Sequence, residues 1–185
     1  MNWILIIPAF IFGLMAGSFL NVVIYRLPLG KSVVKPRSFC PGCGKTISWH
    51  ENIPVLSWLV LRGRCRGCSS AISPRYPVIE LLGGLLAVLA VYLHGEWVNA
   101  GFAYAFLMAL LAITMIDWDH RIIPDQISLS FIAAGLAWSF FNPGLSLASS
   151  AAGALAGGGS LWLVGFIYKK IRNADGMGGG DVKLM

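Results

Sequence analysis

The sequence predicts an all-α polytopic membrane protein, with about five transmembrane helices and a small cytoplasmic four-Cys metal-binding segment. Three observations carry that expectation. Of 185 residues, 57% are hydrophobic and 12% charged, against roughly 25% charged in an ordinary soluble domain. The apolar residues gather in five long runs, and the 14 Lys and Arg fall on one side of those runs. This composition excludes a disordered tail and a disulfide-stapled secreted module, and it fits a water-soluble globule poorly.

The five runs cover approximately residues 3–24, 78–93, 98–116, 127–141 and 147–168. A helix needs about 20 apolar residues to cross a ~30 Å hydrocarbon core. The second and fourth runs are short and need polar flanks or local thinning to span. The first has no basic residue ahead of it, while Arg26 and Lys31 follow it. It therefore reads as a retained span rather than a cleaved signal peptide. Residues 25–77 differ in kind, holding Pro, Cys and most of the charge. Three parts follow: a first span at 1–24, a four-Cys segment at 25–77, and a membrane core at 78–185. Small residues at Gly13, Gly17 and 153–160 suggest close helix packing.

On an odd-even topology the basic residues separate cleanly. Nine lie between spans one and two, from Arg26 to Arg75; Arg121 follows span three; Lys169, Lys170, Arg172 and Lys183 follow span five. The opposite loops hold only Glu96 and His94. The positive-inside rule then puts the N-terminus outside and residues 25–77 in the cytoplasm. The basic excess is topology, and no nucleic-acid partner is expected.

All four cysteines form two pairs, Cys40-Pro-Gly-Cys43 and Cys65-Arg-Gly-Cys68. Four thiolates complete the tetrahedron that Zn²⁺ prefers, and each pair aims two sulfurs at one point. In a reducing cytoplasm disulfides are the weaker reading. No ligand position is left open, so the metal is expected to hold the segment together without performing chemistry. His50 is surplus to that tetrahedron.

Carboxylates near the bilayer are costly and therefore informative. Asp117 directly follows the apolar run of span three, and Asp181 closes Gly176-Met-Gly-Gly-Gly-Asp181. Both are expected on the cytoplasmic face, where a pair of carboxylates can hold a water between a base and an acid. Glycines 178–180 leave room for an extended substrate strand. The residues alone leave Asp119 and Asp125 open as partners; Asp119 points elsewhere if the helix continues, and Asp125 reads as the cap of span four. Glu80 lies within snorkelling reach of Arg75, and an interfacial ion pair explains it at least as well as a function.

Gly17-Ser-Phe-Leu-Asn-Val-Val-Ile-Tyr-Arg-Leu-Pro28, the two Cys pairs, Asn52-Ile-Pro-Val-Leu-Ser57, Arg75-Tyr-Pro-Val-Ile-Glu-Leu81, the Asp117 to Asp125 string and Gly178-Gly-Gly-Asp-Val-Lys-Leu184 occur in order. Together they resemble the bacterial type IV prepilin peptidases across essentially the whole chain. The resemblance implies a multi-pass inner-membrane aspartic protease that cuts leaders from type IV prepilins and type II secretion pseudopilins. It implies Asp117 and Asp181 as the catalytic pair, in preference to Asp119 and Asp125. It also implies N-methylation of the new N-terminus with S-adenosylmethionine, for which no contact residue is assigned. Members continue beyond the second Asp motif, so this chain reads as a C-terminally truncated form. Two other readings stand beside it: a metal-stabilised membrane assembly factor without chemistry, and another Gly-x-Gly-Asp protease acting inside the bilayer.

Overall fold

The computed structural model describes residues 3–141, 144 and 146–172. Every apolar run is a helix, because in hydrocarbon a backbone must satisfy its own N–H and C=O groups. The helices are α1 (Trp3–Arg26), the short α2 (Leu56–Val60), α3 (Arg75–His94), α4 (Trp97–His120), α5 (Asp125–Phe141) and α6 (Leu147–Arg172). Among the described residues there is no β-strand; only the isolated bridges Phe39 to Thr46 and Arg64 to Ala71 occur. The protein is an all-α membrane protein.

Four of these helices are long and apolar enough to cross a bilayer: Ile4–Leu29, Arg75–His94, Trp97–His120 and Leu147–Tyr168. The run at 78–93 gains length because its helix starts at Arg75 and ends at His94. Pro74 and Pro77 are compatible with that start, since first-turn amides have no helical partner anyway. Gly95, at φ +67, closes it by donating its N–H to the Val91 carbonyl at 3.1 Å. With 17 residues, α5 is only about 25 Å long, short of the ~30 Å core. The expected fifth span is helical, and its described residues stand at the short end of the range for a crossing helix.

The chain divides into two compact units, residues 1–115 and 116–185. In the first, α1 and α3 meet along a seam of glycines. A Cβ on Gly17 would stand 2.8 Å from Glu80 Cα, and one on Gly83 would stand 2.6 Å from the Gly13 carbonyl oxygen. Only glycine permits that approach. The close packing expected at Gly13 and Gly17 is thus present, with Gly83 and Gly84 as the opposing surface. Tyr104 of α4 adds a ring contact to Phe12, with centroids 5.9 Å apart.

In the second unit α5 packs on α6. The small-residue stretch at 153–160 behaves differently from the α1 glycines: among the described residues nothing lies within 4 Å of a Cβ placed on Gly153 or Gly159.

Candidate metal centre and aspartate face

The two Cys pairs fold as near copies of one turn, offset by 25 positions. Cys40 donates its N–H to the Lys45 carbonyl at 2.9 Å, and Cys65 to that of Ser70 at 2.8 Å. The Cys40 carbonyl accepts from Gly44 N–H at 2.8 Å, and the Cys65 carbonyl from Ser69 N–H at 2.9 Å. The fifth residue of each turn is left-handed, Gly44 at φ +70 and Ser69 at φ +58. Glycine accepts that conformation freely; serine is strained by it. Gly67 turns its N–H toward Cys65 Sγ at 3.4 Å.

These turns bring all four sulfurs within 4.8 Å of one another, and all four cysteines are free thiols. Cys40 and Cys68 Sγ are 3.8 Å apart. A tetrahedron with Zn–S bonds of about 2.3 Å has S···S edges of about 3.8 Å, so the spacing suits a bound metal and is far too long for a disulfide. Four cysteines are positioned to hold a metal ion. His50 stays outside, exposed and edge-on to Trp49.

Two supporting residues escaped the sequence reading. Ser70 Oγ lies 3.2 Å from Cys68 Sγ and 3.5 Å from Cys40 Sγ. Its hydroxyl, with the Cys43 and Gly42 amides, pulls the Cys40 thiol down to about 6. Cys68 is lowered by the same hydroxyl. Cys43 goes the other way: the Lys45 amide favours its thiolate, but hydrogen bonding to Cys68 and desolvation push it up to about 11. Glu51 is the second. It closes a capping box with Ser48 and lies 3.6 Å from Lys45 and 3.7 Å from Arg66, one cation from each turn. The Ser48 amide first, then Lys45, hold its carboxyl below the usual range. Its signal was the Ser48 to Glu51 spacing of a capping box.

Glu80 is only 8% exposed. Instead of an Arg75 ion pair, it accepts the Val55 N–H at 2.7 Å, while Arg75 donates to the Met115 carbonyl at 3.3 Å. Val55 is held at φ 62, ψ −51, an outlier for a β-branched residue. Glu80, Asn21, Tyr25, Trp58 and Tyr76 line a cavity of about 440 Å³ between α1, α3 and the four-Cys turns.

Asp117 is exposed near the end of α4, and its carbonyl accepts the Arg121 N–H at 2.8 Å. Asp119 is also exposed on α4. Asp125 is the first residue of α5 and not its cap, since the Pro124 carbonyl accepts the Ser128 N–H at 3.2 Å; its first-turn carboxylate suits the positive end of the helix dipole. Asp181 lies outside the described residues.

A polytopic membrane protein with a four-thiolate centre and an acidic helix end is a narrow class, and comparison with known proteins narrows it further. Residues 11–94 match the bacterial peptidase A24 N-terminal domain, and residues 104–185 the type IV leader peptidase family. A prepilin leader peptidase/N-methyltransferase of Dichelobacter nodosus is 39% identical over 95% of this chain and 71% of that protein. That of Aeromonas hydrophila is 40% identical over 99% of the chain and 71% of its own length. The Klebsiella pneumoniae protein is 41% identical over 95% and 80%. No solved structure matches. The chain belongs to the type IV leader peptidase family.

Proposed function

We propose that the protein is an aspartic endopeptidase that removes the leader of type IV prepilins and type II secretion pseudopilins at the cytoplasmic face of the inner membrane. The observation that carries the reading is family membership across both halves of the chain, at about 40% identity to prepilin leader peptidases. The N-terminus lies outside and the four-Cys segment inside, as the distribution of Lys and Arg favours.

Asp117 and Asp181 form the catalytic pair. One carboxylate takes a proton from water as it attacks the scissile carbonyl, and the other, protonated, donates to the leaving amine. The two titrate as a unit. Support for Asp117 is its exposed place directly after the apolar stretch of α4, where an acidic side chain meets a leader without crossing hydrocarbon.

The four-Cys centre holds Zn²⁺ in a structural role, supported by its closed set of four thiolates. A second activity, N-methylation of the new N-terminus, rests on the names of the relatives. S-adenosylmethionine supplies the methyl group when bound. The cavity beside Glu80 suits it in volume, and a buried carboxylate suits its sulfonium charge.

The test is a prepilin cleavage assay in membranes, comparing wild type with Asp117→Ala and Asp181→Ala, with product mass reporting methylation. Loss of cleavage in both variants is expected. An unchanged rate in either removes that residue from the pair, and silence of both favours a non-catalytic assembly role.

A further inference from the structure

A groove along α1 is used by neither the thiolates nor the aspartates. One wall is the outward face of α1, with Ile11, Met15 and Phe19; the other is Val34, Trp49 and Leu56 from the segment that follows. Arg26 and Arg37 also line the groove, whose volume is about 1050 Å³. Its walls are also unusually apolar for an aqueous face. Val34 is 75% exposed, Trp49 76% and Leu56 60%, a concentration that marks contact with something other than water.

The depth of this groove follows from the Val55 to Glu80 hydrogen bond. Glu80 is five residues into α3, and it packs on Gly17, nine residues before the end of α1. At 1.5 Å per residue these positions lie about 8 and 13 Å inside the ends of their helices. The Val55 to Glu80 hydrogen bond therefore holds the chain around Val55 beside the spans, within reach of the interfacial layer where such segments bury apolar side chains. Trp49 suits the boundary between headgroups and hydrocarbon. From Ile11 to Arg26, α1 runs about 22 Å, longer than the ~15 Å hydrocarbon half of a bilayer.

We propose that this groove is a binding site for an acidic phospholipid, with one acyl chain along residues 11–19 of α1 and the headgroup phosphate at Arg37. Arg37 is exposed, and its guanidinium can meet a phosphate with two parallel hydrogen bonds. Arg26 is buried and held by the Ser32 carbonyl at 3.1 Å, so it adds fixed positive potential beneath the headgroup. The lipid fills the space between α1 and the returning segment, and so supports the wall that carries Val55.

The site is tested by native mass spectrometry of the purified protein exposed to phosphatidylglycerol or phosphatidylcholine at equal concentration. Wild type is expected to retain one phosphatidylglycerol with about fivefold preference, the effect of one basic residue near an acidic headgroup. Arg37→Glu should abolish the preference, and Met15→Trp, which fills the groove, should abolish retention of both lipids. Equal retention of the two lipids by wild type overturns the proposal, as does an unchanged preference in Arg37→Glu. Acyl-brominated phosphatidylglycerol provides an independent reading on the intact site. It should quench the fluorescence difference between wild type and Trp49→Phe, and absence of that quenching sinks the assignment.

Discussion

The four-Cys segment and the aspartate face are both sets of ionisable side chains beside a membrane, but they are assembled differently. Each Cys pair is closed by hydrogen bonds within six residues, so bringing the pairs together needs one further closure of a loop of 21 residues. Loop entropy grows only slowly with length, and a bound metal readily offsets it. Asp117 is bonded locally only through its backbone carbonyl, to Arg121, and among the described residues no turn of this kind brings a second carboxylate to it. The residue proposed beside it is 64 positions away in sequence, with α5 and α6 between them. One centre is built by its own turns; the proposed aspartate pair would depend on helices packing in hydrocarbon first.

The largest expected effect breaks the two regions apart. Asp117→Ala and Asp181→Ala should each lower prepilin cleavage by about 100- to 10,000-fold, the range of a lost general acid or base. Metal content by mass spectrometry should stay unchanged. A cleavage defect accompanied by metal loss would show that the regions are not independent.

Next come the thiolates. Cys40→Ser or Cys65→Ser should reduce bound zinc from about one per chain to none. A pH series sharpens the point. With its thiol at about 11, Cys43 is protonated near neutrality in the metal-free segment, so loading must expel that proton. Cys40, at about 6, is already mostly thiolate there. Zinc affinity should therefore fall as pH drops, and fall more steeply below about pH 6, where Cys40 also takes a proton. Competition with a chelator measures this, and a flat profile argues against thiolate ligation.

A moderate effect tests the seam that carries the first region. Gly17→Val puts branched carbon where Glu80 Cα stands 2.8 Å from a Cβ. Overpacking of that kind costs about 1–3 kcal/mol, read as a lower thermal midpoint in detergent. Gly153→Val on α6, with nothing within 4 Å, should cost far less.

The smallest effect compares the two Cys turns with each other. Ser69 takes the left-handed position that Gly44 takes in the first turn. Ser69→Gly should stabilise the metal-loaded segment by up to about 1 kcal/mol, and Gly44→Ser should destabilise it. Opposite signs would refute the equivalence of the turns.

Much of this was legible because its causes are local. The apolar runs specify helices wherever hydrocarbon forbids unpaired backbone, and a Cys-x-x-Cys spacing specifies a turn that aims two sulfurs together. Glu80 was legible only as an acid near Arg75. Its partner, the Val55 amide, is 25 positions earlier in a strained turn, and no helical periodicity reports a contact of that kind. Ser70 is similar: its place follows from where Cys40 and Cys68 meet. The length of α5 was a matter of degree, since a run marked short is one whose ends decide whether it spans.

The sequence by itself determined the class of protein, the helices, the four cysteines positioned to hold a metal and the acids worth testing, because hydrophobic burial, ligand spacing and charge asymmetry act along the chain. Only the tertiary structure decided which surfaces touch. It paired Gly13 and Gly17 with Gly83 and Gly84, placed Ser70 between two thiols, and turned residues 33–56 back against α1 to form a groove. Those outcomes depend on the fit of surfaces distant in sequence, where sub-ångström clearance at a glycine or one amide facing a buried carboxylate selects the arrangement.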